Sequence, residues 1–242
     1  MRYLIAFALL TGLTPKMSPG RKVSRAGEDL MDRKVGSFQV KAVSLTDALL
    51  VFAQQEKIPM GIEYVDEAGL TNPISVSTGP TTISGALRLI FGHAHGYSYS
   101  AQYGTLIISH SGLPPRKRNL LDYTLPSFDA PRTALDKISW ELEVALAHQL
   151  RPRVRGWAGD YIPSQPAVLV GPIHERKASV KQVLCAIVSQ GTPAAWVITV
   201  PSERLDSENP RDLWKILPYT APPTHYAPLL LAALQKSSQP RP

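Results

Sequence analysis

Three segments of this chain carry apolar residues at one and the same spacing, and that spacing restricts the fold more than any other feature. Leu45, Ala48, Leu49, Phe52 and Ala53 fall at 0, 3, 4, 7 and 8, which is one face of an α-helix. Ile83, Ala86, Leu87, Ile90 and Phe91 repeat it, and so do Val180, Val183, Leu184, Ile187 and Val188. Short stretches between them alternate apolar and polar residues, the period of a half-buried strand. A chain built this way is neither all-helical nor all-β, and an α+β fold is expected.

The first unit begins at Gly36. Phe38 and Val40 alternate as a strand, and Ser44 is placed to cap the first helix, with Asp47 near its N-terminus. Pro59 stops that helix, and Gly61–Val65 resumes a strand period. Asn72-Pro73 turns the chain into a strand with Ile74 and Val76, and the second helix follows to Gly92. Tyr97, Tyr99 and Ala101, the break Gln102-Tyr103-Gly104, and Leu106-Ile107-Ile108 read as a closing hairpin. The expected order is strand, helix, strand, strand, helix, strand, strand.

The second unit echoes the first. Thr133 is placed to cap a helix bearing Leu135, Ile138, Leu142, Ala145 and Leu146, and the helix from Val180 precedes a strand-like run, Ala195–Val200. The spacing matches the helix at 135 to the one at 45, and the helix at 180 to the one at 83. Two small βαβ-type modules in tandem are therefore expected, by internal duplication. The boundaries are a leader and spacer over 1–34, a first module over 35–111, a basic linker over 112–121, a second module over 122–200 and a proline-rich tail over 201–242. Within that tail, Asp212–Leu217 reads as a turn or more of helix.

The formal charge of +7 raises a nucleic-acid reading, so its distribution matters. Residues 1–34 carry net +4 and residues 35–111 net −2, with +2, +2 and +1 over 112–132, 133–200 and the remainder. The excess sits outside the first module, whereas a duplex-binding domain concentrates Lys and Arg on one face of its fold. Two clusters, Arg116-Lys117-Arg118 and Arg151, Arg153, Arg155, keep a basic nucleic-acid-binding protein as the alternative. The 22 prolines among 242 residues are about twice the usual share and fall mostly in the connections. A single cysteine, Cys185, excludes a disulfide framework.

Met1-Arg2 followed by the apolar run Tyr3–Leu13 matches the first two regions of a secretory signal and is too short for an ordinary membrane-spanning helix. Export is expected, with no transmembrane span once the signal is removed.

The run Phe38-Gln39-Val40-Lys41-Ala42-Val43-Ser44-Leu45-Thr46-Asp47-Ala48-Leu49 resembles the opening of the secretin and TonB N-terminal short domain. The second helix of that family is matched by Ile83–Phe91, and its closing hairpin by Gly96-Tyr97-Ser98-Tyr99 and Gly104–Ile108. The resemblance covers about residues 36–110, and the second unit is similar in outline. Nothing downstream resembles a secretin pore, a TonB-dependent barrel or an anti-sigma segment, and His93-Ala94-His95 stands where the family has a small glycine-containing turn. The resemblance implies a periplasmic, non-catalytic protein-interaction module of the bacterial envelope, with a protein partner.

Residue chemistry points the same way. His93 and His95 have no third ligand nearby, so no metal is assigned; no phosphate loop or nucleophile elbow is present. No catalytic residue, cofactor or metal is expected. Small open sheets bind through free strand edges, and Leu106, Ile107 and Ile108 are the candidate docking strand. Trp157, with Arg153 and Arg155, is the candidate exposed contact, since aromatic and arginine side chains dominate interface hot spots.

Overall fold

The computed structural model describes residues 30–92, 94–150, 168–190, 194–198 and 213–219. Its elements are mixed α and β, as the spacings indicate. In chain order they are β1 (Lys34–Val35), β2 (Phe38–Ser44), α1 (Leu45–Gln55), β3 (Met60–Ile62), α2 (Glu67–Thr71), β4 (Pro73–Thr78), β5 (Thr81–Thr82), α3 (Ile83–Phe91), β6 (Tyr97–Gln102) and β7 (Thr105–His110). Then come α4 (Pro115–Asp122), β8 (Thr124–Ala130), β9 (Thr133–Ala134), α5 (Leu135–Leu150), β10 (Leu169–Val170), β11 (Ile173–Ser179), α6 (Val180–Ser189), β12 (Ala194–Ile198) and β13 (Trp214–Pro218).

One five-stranded sheet runs through both halves of the chain in the order β13-β12-β3-β7-β6. β3 lies parallel to β7 on one side and to β12 on the other, while β6 and β13 pair antiparallel at the two margins. Successive residues of a strand face opposite sides, and the burial follows that rule. Met60, Ile62, Leu106, Ile108, Ala195 and Val197 join a core with the apolar faces of α1 and α3. Ile107, Ala194, Trp196, Ile198 and Trp214 join a second core with α4, α5 and α6. The sheet is thus buried on both faces, which explains why its central strands are apolar without interruption.

The two halves repeat one another with their parts in exchanged order. A constant shift carries Lys34-Val35 onto Leu169-Val170, Phe38 onto Ile173, Ser44 onto Ser179 and α1 onto α6. Another carries Thr81-Thr82 onto Thr133-Ala134 and α3 onto α5. The pairings follow suit: Lys34↔Thr82 becomes Leu169↔Ala134, Phe38↔Thr78 becomes Ile173↔Ala130, and Val40↔Val76 becomes Glu175↔Phe128. Ile83 N–H donates to Arg33 O, as Leu135 N–H donates to Val168 O. Ala42 and Lys177, equivalent under the first shift, both hold a positive φ, 53° and 49°. The serines after them cap their helices alike, accepting from Asp47 N and Gln182 N.

This correspondence differs from the one read from helix spacing: the helix at 45 matches the one at 180, and the helix at 83 matches the one at 135. Apolar faces of equal spacing look alike whichever strand precedes them. The order of short and long strand before each helix is what separates them. Two further differences stand out. The segment 112–121 is largely α4, opened by Pro115 in its first turn, and its Leu120 and Leu121 belong to the second core. Trp214–Leu217 is strand rather than helix, because β12 supplies a paired edge for it.

Candidate functional site: the outer edge of the shared sheet

β6 closes the first unit through a two-residue turn in which Tyr103 and Gly104 both have positive φ, 52° and 72°. That is the backbone of a type I′ hairpin, whose twist suits paired strands. On its inner side β6 pairs with β7 along its whole length, from Tyr97↔His110 to Gln102↔Thr105. On its outer side no strand pairs with it among the described residues.

One face of β6 is fixed by aromatic contacts. Phe91 of α3 stacks on Tyr97 and Tyr99 with ring centroids 5.8 and 5.7 Å apart. Tyr97 also lies 4.5 Å from the His110 ring and donates its hydroxyl to Asp66 Oδ1 at 2.6 Å. Asp66 in turn caps α2 by accepting from Gly69 N–H at 2.8 Å. Burial acts to raise the Asp66 carboxyl, but the Tyr97 hydroxyl, the Gly69 N–H and His110 outweigh it, and the group titrates below its ordinary value. Burial, and then the same hydrogen bond, push the Tyr97 hydroxyl far up. Tyr97 therefore stays a protonated donor that ties the start of the edge strand to the loop after β3.

β6 itself reads Tyr-Ser-Tyr-Ser-Ala-Gln, with no charge and no proline. Exposed edges are ordinarily blunted by lysine, proline or bulges. The opposite margin shows such blunting, since β13 carries Lys215 and Pro218.

The residues singled out from sequence are distributed differently. Leu106, Ile107 and Ile108 form the middle of β7, bonded to β3 on one side and β6 on the other, and all three are 0% exposed. They have no free edge to offer, so the docking strand read from sequence is corrected: the open edge belongs to its hairpin mate. Apolarity marked β7 as strand, but a strand buried on both faces is interior. Trp157, Arg153 and Arg155 lie outside the described residues, as do Arg151 and His93. Of the cluster at 116–118, Lys117 and Arg118 differ in exposure. Lys117 is 4% exposed and holds its ammonium 5.0 Å from the Tyr64 ring centroid, whereas Arg118 is exposed.

A second polar group lies inside the molecule. Lys181 of α6 meets Glu63 Oε1 at 2.6 Å, and Ser109 donates to Glu63 Oε2 at 2.5 Å. This ion pair joins the end of β3 in the first unit to the first turn of α6 in the second. One turn further on, Cys185 is fully buried, and burial pushes its thiol up to about 12. A thiol so held is no nucleophile. Among the described residues no group of three or more His, Cys, Asp or Glu is arranged to hold a metal, and no helix is long and apolar enough to cross a membrane.

Comparison with known proteins adds no relative: no family model, no curated protein and no solved structure matches the chain.

Proposed function

We propose that this is an exported, non-enzymatic protein of the bacterial envelope that works by protein–protein contact, with the outer edge of β6 as its docking strand. The observation that carries the reading is the unguarded edge: six neutral residues, paired on one side only among the described residues, and held rigid by Phe91 and by the Tyr97–Asp66 bond. Main-chain groups on such an edge bind an extended segment without special side chains. The placement in the envelope rests on the resemblance of residues 36–110 to the secretin and TonB N-terminal short domain; the strands and helices expected there occur in the expected order, with the short α2 and β5 in addition.

The test is cell fractionation combined with a photoreactive side chain at Ser98. The expected result is periplasmic protein and covalent adducts formed from position 98. Cytosolic protein with an intact leader overturns the location, and an absence of adducts at 98 overturns the docking strand.

A further inference from the structure

Three observations narrow what lies against β6. The first is charge. From Leu89 to Pro115 the chain contains no Asp, Glu, Lys or Arg, although 19% of all its residues are charged. The strand itself therefore offers a partner no charge to read, the nearest in sequence being Arg88 of α3. A strand that is itself neutral matches it.

The second is the precedent within the chain. The two units are versions of one module, and they join edge to edge, β3 against β12, into a single sheet. The module thus already associates with its own kind through a strand edge. Within the shared sheet, among the described residues, the first unit ends on β6, while the second ends on the lysine- and proline-bearing β13.

The third is apolar exposure on α3 and at the hairpin tip. Leu89 of α3 and Tyr103 at the hairpin tip are 49% and 50% exposed, two of the four large hydrophobic residues so exposed among the described residues. α3 is the helix that covers β6, through Phe91 on Tyr97 and Tyr99.

Resting on the reading of β6 as the docking strand, we infer that its occupant is a second copy of this chain, paired antiparallel across a two-fold axis. Centred on Tyr99, such pairing sets Ser98 opposite Ser100 of the second copy and Tyr97 opposite Ala101 of the second copy. Like meets like on each face, and no charge meets a charge. The two five-stranded sheets become one, and the open edges are consumed, which is the closure expected of an isologous contact.

The experiment is sedimentation velocity on the full-length protein over a range of concentrations and salt. The expected result is a monomer–dimer equilibrium that persists at high salt, because no ion pair holds it. Ser98→Lys places an ammonium on the edge and should give monomer at concentrations where the parent is dimer, with a thermal melt that matches the dilute, monomeric parent; Ser98→Thr should remain dimeric. If Ser98→Lys fails to fold, Ser100→Lys replaces it. A parent protein that stays monomeric throughout overturns the inference, as does a dimer that survives both lysine substitutions or dissociates with salt. A monomer that still forms adducts from position 98 with a different protein removes the self-pairing and leaves the docking strand standing.

Discussion

Gly61 of β3 lies in register beside Trp196 of β12, and a methyl group on Gly61 would overlap the indole. Trp196 is fully buried and belongs to the second core, so its ring reaches across the sheet surface above the first unit's strand. The absence of a side chain at 61 is what lets the parallel strands of the two units close on each other. Gly61→Ala should destabilise the whole protein by about 1–3 kcal/mol, the usual range for overpacking a filled core. Trp196→Phe removes the part of the ring nearest Gly61, so the double variant should lose less than the sum of the singles. Urea unfolding of all four proteins checks this coupling.

The Glu63–Lys181 pair makes a related prediction. Removing one partner leaves a buried charge uncompensated, which costs about 3–5 kcal/mol in such sites. Lys181→Met should therefore be severe, while Glu63→Gln combined with Lys181→Met should recover much of the loss. Chemical denaturation monitored at two probes, one in each unit, should show a single transition in the parent because the pair and the sheet join the units. Two separated transitions would argue against that joining.

Asp66 gives a pH-dependent contribution. Its carboxyl is depressed below the ordinary 3.8 in the folded protein. The stabilisation is complete above the unfolded value and disappears as pH falls through the lower, folded one. Tyr97→Phe removes the hydroxyl donor and should raise the Asp66 titration point, narrowing that window. Carboxyl chemical shifts followed by NMR from pH 6 downward would register the change.

Cys185 should be unreactive towards a thiol reagent in the native state, since it is buried and its thiol is pushed up to about 12. Labelling should follow the rate of global opening and rise with denaturant. Rapid labelling of the native protein would mean that α6 opens independently of the sheet.

Local patterns in the sequence reach some of this architecture and not the rest, for physical reasons. The faces of α1, α3 and α6 were legible because burying a helix on one side forces an apolar spacing. The hairpin is legible because two strand-like runs are separated by a short break that contains Gly104. What eluded local reading depends on distant partners. Leu106–Ile108 is strand in either case, and only the presence of β3 on its other side makes it interior. Trp214–Leu217 presents residues that suit a helix turn or a strand, and β12 decides between them. Arg116-Lys117-Arg118 reads as a basic cluster open to a polyanion, yet Lys117 is buried with its ammonium over the Tyr64 ring. The β6 edge is not legible in the sequence because its signal is a lack of charge and proline, and neutrality alone marks no site until the sheet order shows which strand is outermost.

Residue-resolved hydrogen exchange over 97–110 tests most directly that β6 is the open edge and β7 interior. The prediction is that amides of Leu106, Ile107 and Ile108 exchange with the slowest in the protein. At high dilution, the β6 amides that do not bond to β7 should exchange fast, and they should slow when the edge is occupied. Fast exchange at Leu106–Ile108, or full protection of every β6 amide at high dilution, would contradict the account.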